Sequence, residues 1–283
     1  MSTVSENRAA GGKAGCIELH DVAIHLPGKV RFEAVRNITT TIHASEFVSI
    51  IGPSGCGKST LLNAVAGYLE PSGGVLTVDG EAVGGPGPDR GMVFQHNSLL
   101  PWRSTLDNVA FGLKMRGVDR RERRARAEEF LRLVGLAGFA DRYPAQLSGG
   151  MQQRVEIARV LINNPRVVLM DEPFGALDAQ TRERMQQLLL DIWGRFQPTV
   201  LFVTHDIDEA LILSDRVLVM THRPGRIREE IVVDLPRPRP EDIIVSPEFI
   251  ALKKHCLALV QDEVRRSLIG GLEAPRIELP VEA

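Results

Sequence analysis

A glycine-rich segment between two apolar runs constrains the fold of this chain more than any other stretch. The run Phe47-Val48-Ser49-Ile50-Ile51 precedes it and Leu61-Leu62-Asn63-Ala64 follows it, which predicts the order strand, loop, helix. The segment fits the pattern G-x-x-x-x-G-K-S/T, whose glycines let backbone N–H groups approach phosphate oxygens at a helix N-terminus. We therefore predict a phosphate-binding loop composed of Gly52, Pro53, Ser54, Gly55, Cys56, Gly57, Lys58, Ser59 and Thr60.

Three side chains of this loop have chemistry of their own. The Lys58 ammonium is expected to reach the β- and γ-phosphates of a nucleotide, and the Ser59 hydroxyl is expected to ligate Mg²⁺. Cys56 lies where a helix N-terminus lowers a thiol pKa, so a redox role is the lesser alternative to a small filler residue.

Composition limits the classes of protein to which this chain can belong. The chain is 43% hydrophobic and 25% charged, as expected for a globular protein with a large core. Its net charge of −2 and its 5% of aromatic residues argue against a nucleic-acid-binding surface. The three scattered cysteines fit a reducing cytosol. No apolar run approaches the roughly 18 residues that span a bilayer, so a membrane role requires a partner.

Apolar runs and helical periodicity alternate along the chain and predict an α/β fold. Strand-like runs occupy residues 17–24, 47–51, 75–78 and 92–94, and residues 30–42 are predicted to form several short strands. A helical region then covers about residues 96–161. Strands at residues 167–170, 199–203, 217–220 and 226–233 follow, with helices at residues 179–196 and 207–213 between them. This order predicts a mostly parallel sheet with an antiparallel β subdomain and an inserted α-helical subdomain.

The same pattern divides the chain into three parts. Residues 1–15 read as a disordered leader, residues 16–245 as the main domain, and residues 246–283 as a terminal helix that frays after Ser267. Thr105 is the predicted N-cap of a helix that continues through Met115. The arginine run at residues 120–126 favours a solvated helix face with interleaved glutamates over a nucleic-acid or lipid surface.

Polar residues at helix starts and strand ends form a second set of candidates. Ser148 is an N-cap type residue followed by Gly149 and Gly150, which predicts a second anion site at a helix start. Asp171 and Glu172 end one apolar strand, and His205 follows another. Because ligands bind at the carboxyl ends of parallel strands, Asp171 is expected near Mg²⁺ and Glu172 near the reacting centre.

In order, these motifs resemble the ATP-binding cassette (ABC) ATPase family, a branch of the P-loop NTPases with a RecA-like sheet. The resemblance covers residues 17–221 and rests on the loop, Leu147-Ser148-Gly149-Gly150-Met151-Gln152-Gln153-Arg154, the acidic strand, Ala176-Leu177-Asp178 and His205. It implies ATP and Mg²⁺ as ligands, and a head-to-tail dimer of two cassettes. Each ATP would lie between the phosphate loop of one subunit and Ser148, Gly149 and Gly150 of the other.

The resemblance also implies roles for individual residues. Glu172 would be the general base, His205 would contact the γ-phosphate, and Gln95 would sense the metal and the attacking water. Asp178 would cross the dimer interface, and the metal would be held by Ser59, Gln95 and Asp171. Two departures from the family pattern concern Leu26, where the family stacks adenine on an aromatic residue, and Ser45, where it has glycine. Phe32 is the alternative adenine contact, and Ser45 reads as a harmless turn change.

A finer resemblance points to importers of nitrate, sulfonate, taurine and bicarbonate, on Leu99-Leu100-Pro101-Trp102-Arg103 and Asp171-Glu172-Pro173-Phe174-Gly175-Ala176-Leu177-Asp178. It implies a bacterial importer subunit, peripheral on the cytoplasmic side of the membrane. Its partners would be transmembrane permease subunits and, indirectly, a periplasmic solute-binding protein. Phe94, Leu99, Leu100 and Trp102 form either a groove for a permease helix or ordinary subdomain core. A non-transport ABC ATPase with a regulatory or interaction role remains the alternative.

Overall fold

The structure, a computed structural model, describes residues 14–26 and 32–272 of the chain. Residues 1–13 of the predicted leader and residues 273–283 of the predicted tail lie outside the described residues. The strands are β1 (Ile17–Leu26), β2 (Phe32–Ile42), β3 (Phe47–Ile51), β4 (Gly73–Val78), β5 (Glu81–Ala82), β6 (Arg90–Val93), β7 (Val167–Asp171), β8 (Thr199–Val203), β9 (Arg216–Met220) and β10 (Ile227–Val232). The α-helices are α1 (Lys58–Ala66), α2 (Thr105–Val109), α3 (Phe111–Met115), α4 (Arg120–Leu133), α5 (Gly149–Leu161), α6 (Ala179–Phe196), α7 (Ile207–Leu213) and α8 (Pro247–Leu272).

Two sheets organise these elements. The larger sheet has the order β10-β9-β3-β8-β7-β6, and its pairings are parallel except for the antiparallel edge strand β10. The smaller sheet is antiparallel in the order β2-β1-β4-β5. Strands β3 and β8 are buried along their whole length, as expected when both faces of a parallel sheet are covered. The predicted α/β architecture is confirmed.

Successive residues of the central strands β3 and β8 belong to two different hydrophobic cores, one on each face of the sheet. Phe47 and Phe202 pack on one face against the helices between β6 and β8, whereas Val48 and Leu201 pack on the other face against α1 and the antiparallel sheet. A third core joins β9, β10 and α7 to α8 through Phe249. The phosphate loop therefore follows directly after β3, a strand that packs against a hydrophobic core on each face.

The helical region between β6 and β7 differs from its prediction at its start. Ser104, not Thr105, is the N-cap, and its hydroxyl accepts from the amide of Asp107 at 3.2 Å. Thr105 is instead the first helical residue, and its hydroxyl donates to the carbonyl of Arg142 at 2.8 Å. The helix ends at Val109, and α3 starts separately at Phe111, so the single helix predicted there is two short ones.

Three other boundaries also differ. Residues 32–42 form one strand rather than several short ones. Phe94 lies outside β6 and is exposed, because the pairing of β6 with β7 ends at Val93 opposite Met170. Helix α8 continues through Leu272 rather than fraying after Ser267.

The arginine-rich run lies on α4, and its exposed side chains pair within the helix. Arg124 bonds Glu128 at 2.9 Å and Arg126 bonds Glu122 at 2.6 Å, both one turn apart. Ala127 and Leu131 form the buried face of the helix. These contacts agree with the predicted solvated face.

Candidate active site

The phosphate loop connects the buried strand β3 to α1, and Gly57 occupies the N-cap position. Its φ of +103° lies in a region that L-residues rarely adopt, and a Cβ there would stand 2.8 Å from the carbonyl oxygen of Ala34. Lys58 is almost fully buried, and its Nζ donates to the carbonyls of Gly52 at 2.9 Å and Pro53 at 3.0 Å. The lysine charge therefore lies inside the curve of the loop, where phosphate oxygens would bind.

Ser59 and Asp171 meet beside the loop. The Ser59 hydroxyl donates to Asp171 Oδ1 at 2.9 Å, which joins the start of α1 to the end of β7. Burial raises the pKa of Asp171, the Ser59 hydrogen bond lowers it, and the charge of Glu172 raises it further. A hydroxyl and a carboxylate oxygen are ligands that Mg²⁺ prefers. Among the described residues, no group of three or more His, Cys, Asp or Glu side chains is arranged to hold a metal ion.

The three predicted catalytic side chains converge at the ends of neighbouring strands. Glu172 Oε2 lies 3.1 Å from His205 Nδ1 and 3.3 Å from Gln95 Nε2. Strands β6, β7 and β8 are adjacent in the sheet, so residues that follow them meet although the chain separates them widely. The His205 side chain is 66% exposed and that of Glu172 is 22% exposed. An incoming ligand can therefore reach this cluster.

Glu172 has an unusual backbone conformation. Its φ is +44°, in the left-handed region, which costs a residue with a Cβ about 1–2 kcal/mol. The amide of Glu172 donates to the carbonyl of Val203 at 2.9 Å, and its own carbonyl accepts from Gly175 at 3.2 Å. These bonds hold the strained conformation, which fixes the carboxylate against the end of β8.

The second predicted anion site lies at the start of α5. Ser148 caps this helix as predicted, accepting from the amide of Met151 at 3.4 Å. A Cβ on Gly150 would come within 2.5 Å of the Thr181 side chain on α6, so glycine permits this close helix approach. Asp178 caps α6 and accepts from the amide of Thr181 at 3.0 Å, and hydrogen bonds from Thr181 lower the pKa of this carboxyl. In the described part of the chain, neither Ser148 nor Asp178 bonds to the phosphate loop.

Cys56 faces the core rather than solvent. The side chain is 1% exposed, and burial raises the pKa of the thiol although Lys58 acts in the opposite direction. The thiolate that redox chemistry needs is therefore disfavoured. Burial therefore favours the small filler role of Cys56 over the redox alternative.

An arginine that the sequence analysis missed lies over the loop. Arg223 Nε donates to the carbonyl of Gly55 at 2.5 Å, and its guanidinium carbon lies 4.8 Å from the centroid of the exposed Phe32 ring. Leu26 is only half-buried and packs against the core beside α1. Of the two candidate adenine contacts, Phe32 thus has the ring that connects to the loop. No local motif surrounds Arg223, so only the folded arrangement reveals it.

The predicted apolar patch divides into two parts. Leu99 is buried in the helical core, whereas Trp102 is 71% exposed and Phe94 is 36% exposed. Tyr68, which the sequence analysis did not single out, is half exposed and stacks on Phe94 with 6.2 Å between ring centroids. Tyr68 and Phe94 thus form an exposed aromatic pair, and we refer to them, together with the exposed Trp102, as the aromatic surface.

Fold and loop together define an α/β nucleotide-binding protein with a phosphate-binding loop. The protein-family profile for ABC transporters matches residues 35–175. An uncharacterized ABC transporter ATP-binding protein of Methanocaldococcus jannaschii is 53% identical over 84% of this chain and 88% of its own length. The taurine import ATP-binding protein of Rhizobium johnstonii is 54% identical over 80% of this chain and 88% of its own length. The nitrate import ATP-binding protein of Synechocystis sp. is 49% identical over 81% of this chain and 88% of its own length.

A solved structure agrees with these relatives. A dimeric ATP-binding cassette in a post-hydrolysis state, bound to ADP and phosphate, has a TM-score of 0.69 at 36% identity. It aligns over 78% of this chain and 100% of its own. The chain therefore belongs to the ABC transporter family of ATP-binding proteins and is an ATPase. In the described residues, no helix is both long and apolar enough to cross a membrane.

Proposed function

We propose that this chain is the ATP-hydrolysing subunit of a bacterial importer for a small anion of the taurine or nitrate type. The observation that carries the catalytic part is the contact of Glu172 Oε2 with both His205 and Gln95, directly after Asp171, which bonds Ser59 of the loop. The solute class is supported by relatives named for taurine and nitrate import, which are 46–54% identical to the chain.

The phosphate loop and Lys58 would bind the β- and γ-phosphates of ATP. Ser59, Asp171 and Gln95 would hold Mg²⁺, which when bound neutralises charge on the phosphates. The Asp171 carboxylate is half-buried and directed at Ser59, so it needs no rearrangement to offer an oxygen to the cation.

Glu172 would act as general base by accepting the proton of the attacking water. His205 would exchange its contact with Glu172 for one with the γ-phosphate, and its exposure supports such an exchange. Gln95 would orient the water. Because phosphoryl transfer depends on positioning and charge stabilisation, the strained Glu172 backbone supports catalysis by fixing the base before ATP arrives.

A second copy of the chain would complete the site. Ser148, Gly149, Gly150 and Asp178 form hydrogen-bonding groups at helix starts without contacting the phosphate loop of their own chain. A head-to-tail dimer would bring these groups to the ATP of the partner copy. The dimeric cassette among the structural relatives supports this assembly.

The aromatic surface of Tyr68, Phe94 and Trp102 would receive a cytoplasmic helix of the permease. Exposed aromatic side chains beside one another are typical of protein interfaces. Phe94 precedes Gln95 directly, so docking there would be coupled to the catalytic cluster. The subunit would then lie peripherally on the cytoplasmic face of the membrane, and a periplasmic solute-binding protein would act on it through the permease.

The first test is the size of the Glu172→Gln variant with and without ATP, in Mg²⁺-free buffer containing Na⁺. We expect an ATP-dependent change from monomer to dimer, because this substitution removes the base but keeps the nucleotide-binding groups. A monomer that binds ATP, alone and with the permease present, would rule out the head-to-tail arrangement.

The second test concerns transport. The wild-type chain, reconstituted with the proposed permease, should hydrolyse ATP faster when the loaded solute-binding protein is added. A rate that is independent of permease and binding protein would favour the non-transport alternative.

A further inference from the structure

A buried carboxylate beneath the catalytic cluster has no role in the chemistry above. Glu209 in α7 is 4% exposed, and both of its oxygens accept hydrogen bonds from neutral groups. Oε1 accepts from Gln186 Nε2 at 3.2 Å, and Oε2 accepts from the Thr204 hydroxyl at 2.5 Å. Burial raises the pKa of Glu209, as expected for a carboxylate with no bonded cation. Burying a carboxylate costs free energy, so its hydrogen-bond partners indicate its role.

Thr204 connects this carboxylate to His205. The threonine is 2% exposed, and its amide donates to the carbonyl of Ile50 in β3 at 3.2 Å. Its hydroxyl donates to Glu209 and accepts from the amide of Asp206 at 3.0 Å. The residues on both sides of His205 are therefore bonded to each other and to Glu209. His205 itself is exposed, so the residues beneath it determine its backbone position.

Helix α6 also contacts the segment around His205. Gln186 reaches Glu209, and Arg182, one turn earlier, lies 3.4 Å from Asp206 Oδ2 and donates to the carbonyl of Leu177 at 3.0 Å. Residues four apart lie on one face of a helix, so this face contacts Asp206 directly and Thr204 through Glu209. Helix α6 is capped by Asp178, the proposed interface residue.

We propose that Glu209 is a positioning residue for catalysis: through Thr204 it fixes the backbone of His205, and through Gln186 it ties that backbone to α6. This inference rests on the proposed role of His205. A hydrogen-bonded network in a low-dielectric interior is stiff, which suits a support for an exposed side chain. Movement of Asp178 at the dimer interface would reach His205 through the one helix face that carries Arg182 and Gln186.

The test compares Glu209→Leu with Glu209→Gln by steady-state ATP hydrolysis. Since a displacement of about 1 Å can lower a rate by about 100-fold, we expect Glu209→Leu to lower kcat by roughly 10- to 100-fold, with KM for ATP changed by less than about threefold. Glu209→Gln should stay within about threefold of the wild type, because its amide can accept from Gln186 and donate to Thr204. A kcat for Glu209→Leu near the wild-type value, in a protein where His205→Ala is impaired, would overturn the inference.

A matched pair on α6 covers the case in which Glu209→Leu does not fold. Gln186 is buried against Glu209, whereas Gln187 is exposed and bonds Asp191 one turn away. Gln186→Leu should lower kcat several-fold and shift the NMR signals of the His205 ring, whereas Gln187→Leu should do neither. Equal effects of the two variants would overturn the connection to α6.

A double-mutant cycle separates positioning from general destabilisation. If Glu209 acts through His205, adding Glu209→Leu to His205→Ala should cause no further loss of the residual rate. A further loss as large as in the wild-type background would mean that Glu209 only supports the fold. Wild-type activity of His205→Ala would overturn the proposed role of His205, and this inference with it.

Discussion

Replacing Gly57 by alanine tests whether the phosphate loop depends on a backbone shape that only glycine adopts easily. Gly57 has φ +103°, and a Cβ there would lie 2.8 Å from the carbonyl oxygen of Ala34 and 2.9 Å from Cγ2 of Val35. Both neighbours belong to β2, and Val35 is fully buried. A methyl group at residue 57 therefore forces the loop or the strand to move.

The expected loss of stability has two parts. The left-handed backbone costs an L-residue about 1–2 kcal/mol, and the overpacked contact adds about 1–3 kcal/mol, while alanine recovers about 0.4–1 kcal/mol from the unfolded state. We expect Gly57→Ala to lower the free energy of unfolding by about 2–4 kcal/mol. Gly117 is the matched control, since its φ is +75° but nothing lies within 4 Å of a Cβ there. Gly117→Ala should therefore cost only about 0.5–1.5 kcal/mol.

Urea unfolding followed by circular dichroism measures both variants, and calorimetry measures their ATP affinity. Gly57→Ala should also weaken ATP binding, because the loop N–H groups move with the backbone, whereas Gly117→Ala should leave ATP affinity unchanged. Equal stability losses in the two variants would refute the contact argument. Normal ATP affinity in Gly57→Ala would refute the assignment of the loop.

Four further changes probe the site and its surface. Glu172→Gln should slow hydrolysis by about two to four orders of magnitude at unchanged ATP affinity, and near-normal hydrolysis would remove Glu172 as the base. Lys58→Ala should weaken ATP binding itself by at least about tenfold in calorimetry, since a buried charge-assisted contact is lost, and unchanged affinity would contradict its role. Because burial raises the pKa of Asp171, ionising this group destabilises the ligand-free fold. Asp171→Asn should therefore raise the melting temperature at pH 7, with a gain that shrinks as the pH falls toward the range where aspartate is protonated. If the gain in melting temperature instead grew as the pH fell, the argument that ionised Asp171 destabilises the ligand-free fold would be refuted. Trp102→Ala should abolish co-purification with the permease, and intact co-purification would exclude the aromatic surface as the docking site.

The sequence predicted those elements whose signal is local. The predicted bounds of α6, β8 and α7 agree with the structure, because apolar residues at helical or strand spacing are bounded by residues that end an element, such as Pro198 and Asp206. The start of α2 was wrong because Ser104 and Thr105 are both good caps, and only the distant carbonyl of Arg142 decides between them. The prediction that β6 includes Phe94 was wrong. An apolar side chain extends the strand pattern in the sequence, but the pairing with β7 ends one residue earlier, at Val93.

The candidate site was predictable as a set of residue types and less so as a set of contacts. Motif residues such as Lys58 and Ser148 have local backbone signatures that the sequence shows. Arg223 and Glu209 have none, because each depends on elements that meet only in the folded sheet. Ser45 shows the same limit: it keeps the predicted turn, with its amide bonded to Thr199 Oγ1 at 2.9 Å, but its φ of +64° carries a backbone cost that residue type alone does not reveal.

The two glutamates near His205 suggest how one site can be both rigid and responsive. Glu209 is buried with fixed neutral partners, and a low dielectric makes such bonds strong and costly to break. Glu172 is partly exposed, and its partners His205 and Gln95 both have access to solvent, so those bonds can be exchanged at little cost. An enzyme that binds ATP and releases ADP and phosphate in every cycle needs side chains that change partners on a backbone that does not move. We therefore expect the amide of Thr204 to exchange slowly both with and without ATP, while the ring NMR signals of His205 shift when ATP binds. Fast exchange at Thr204, or His205 ring signals that do not respond to ATP, would contradict this division.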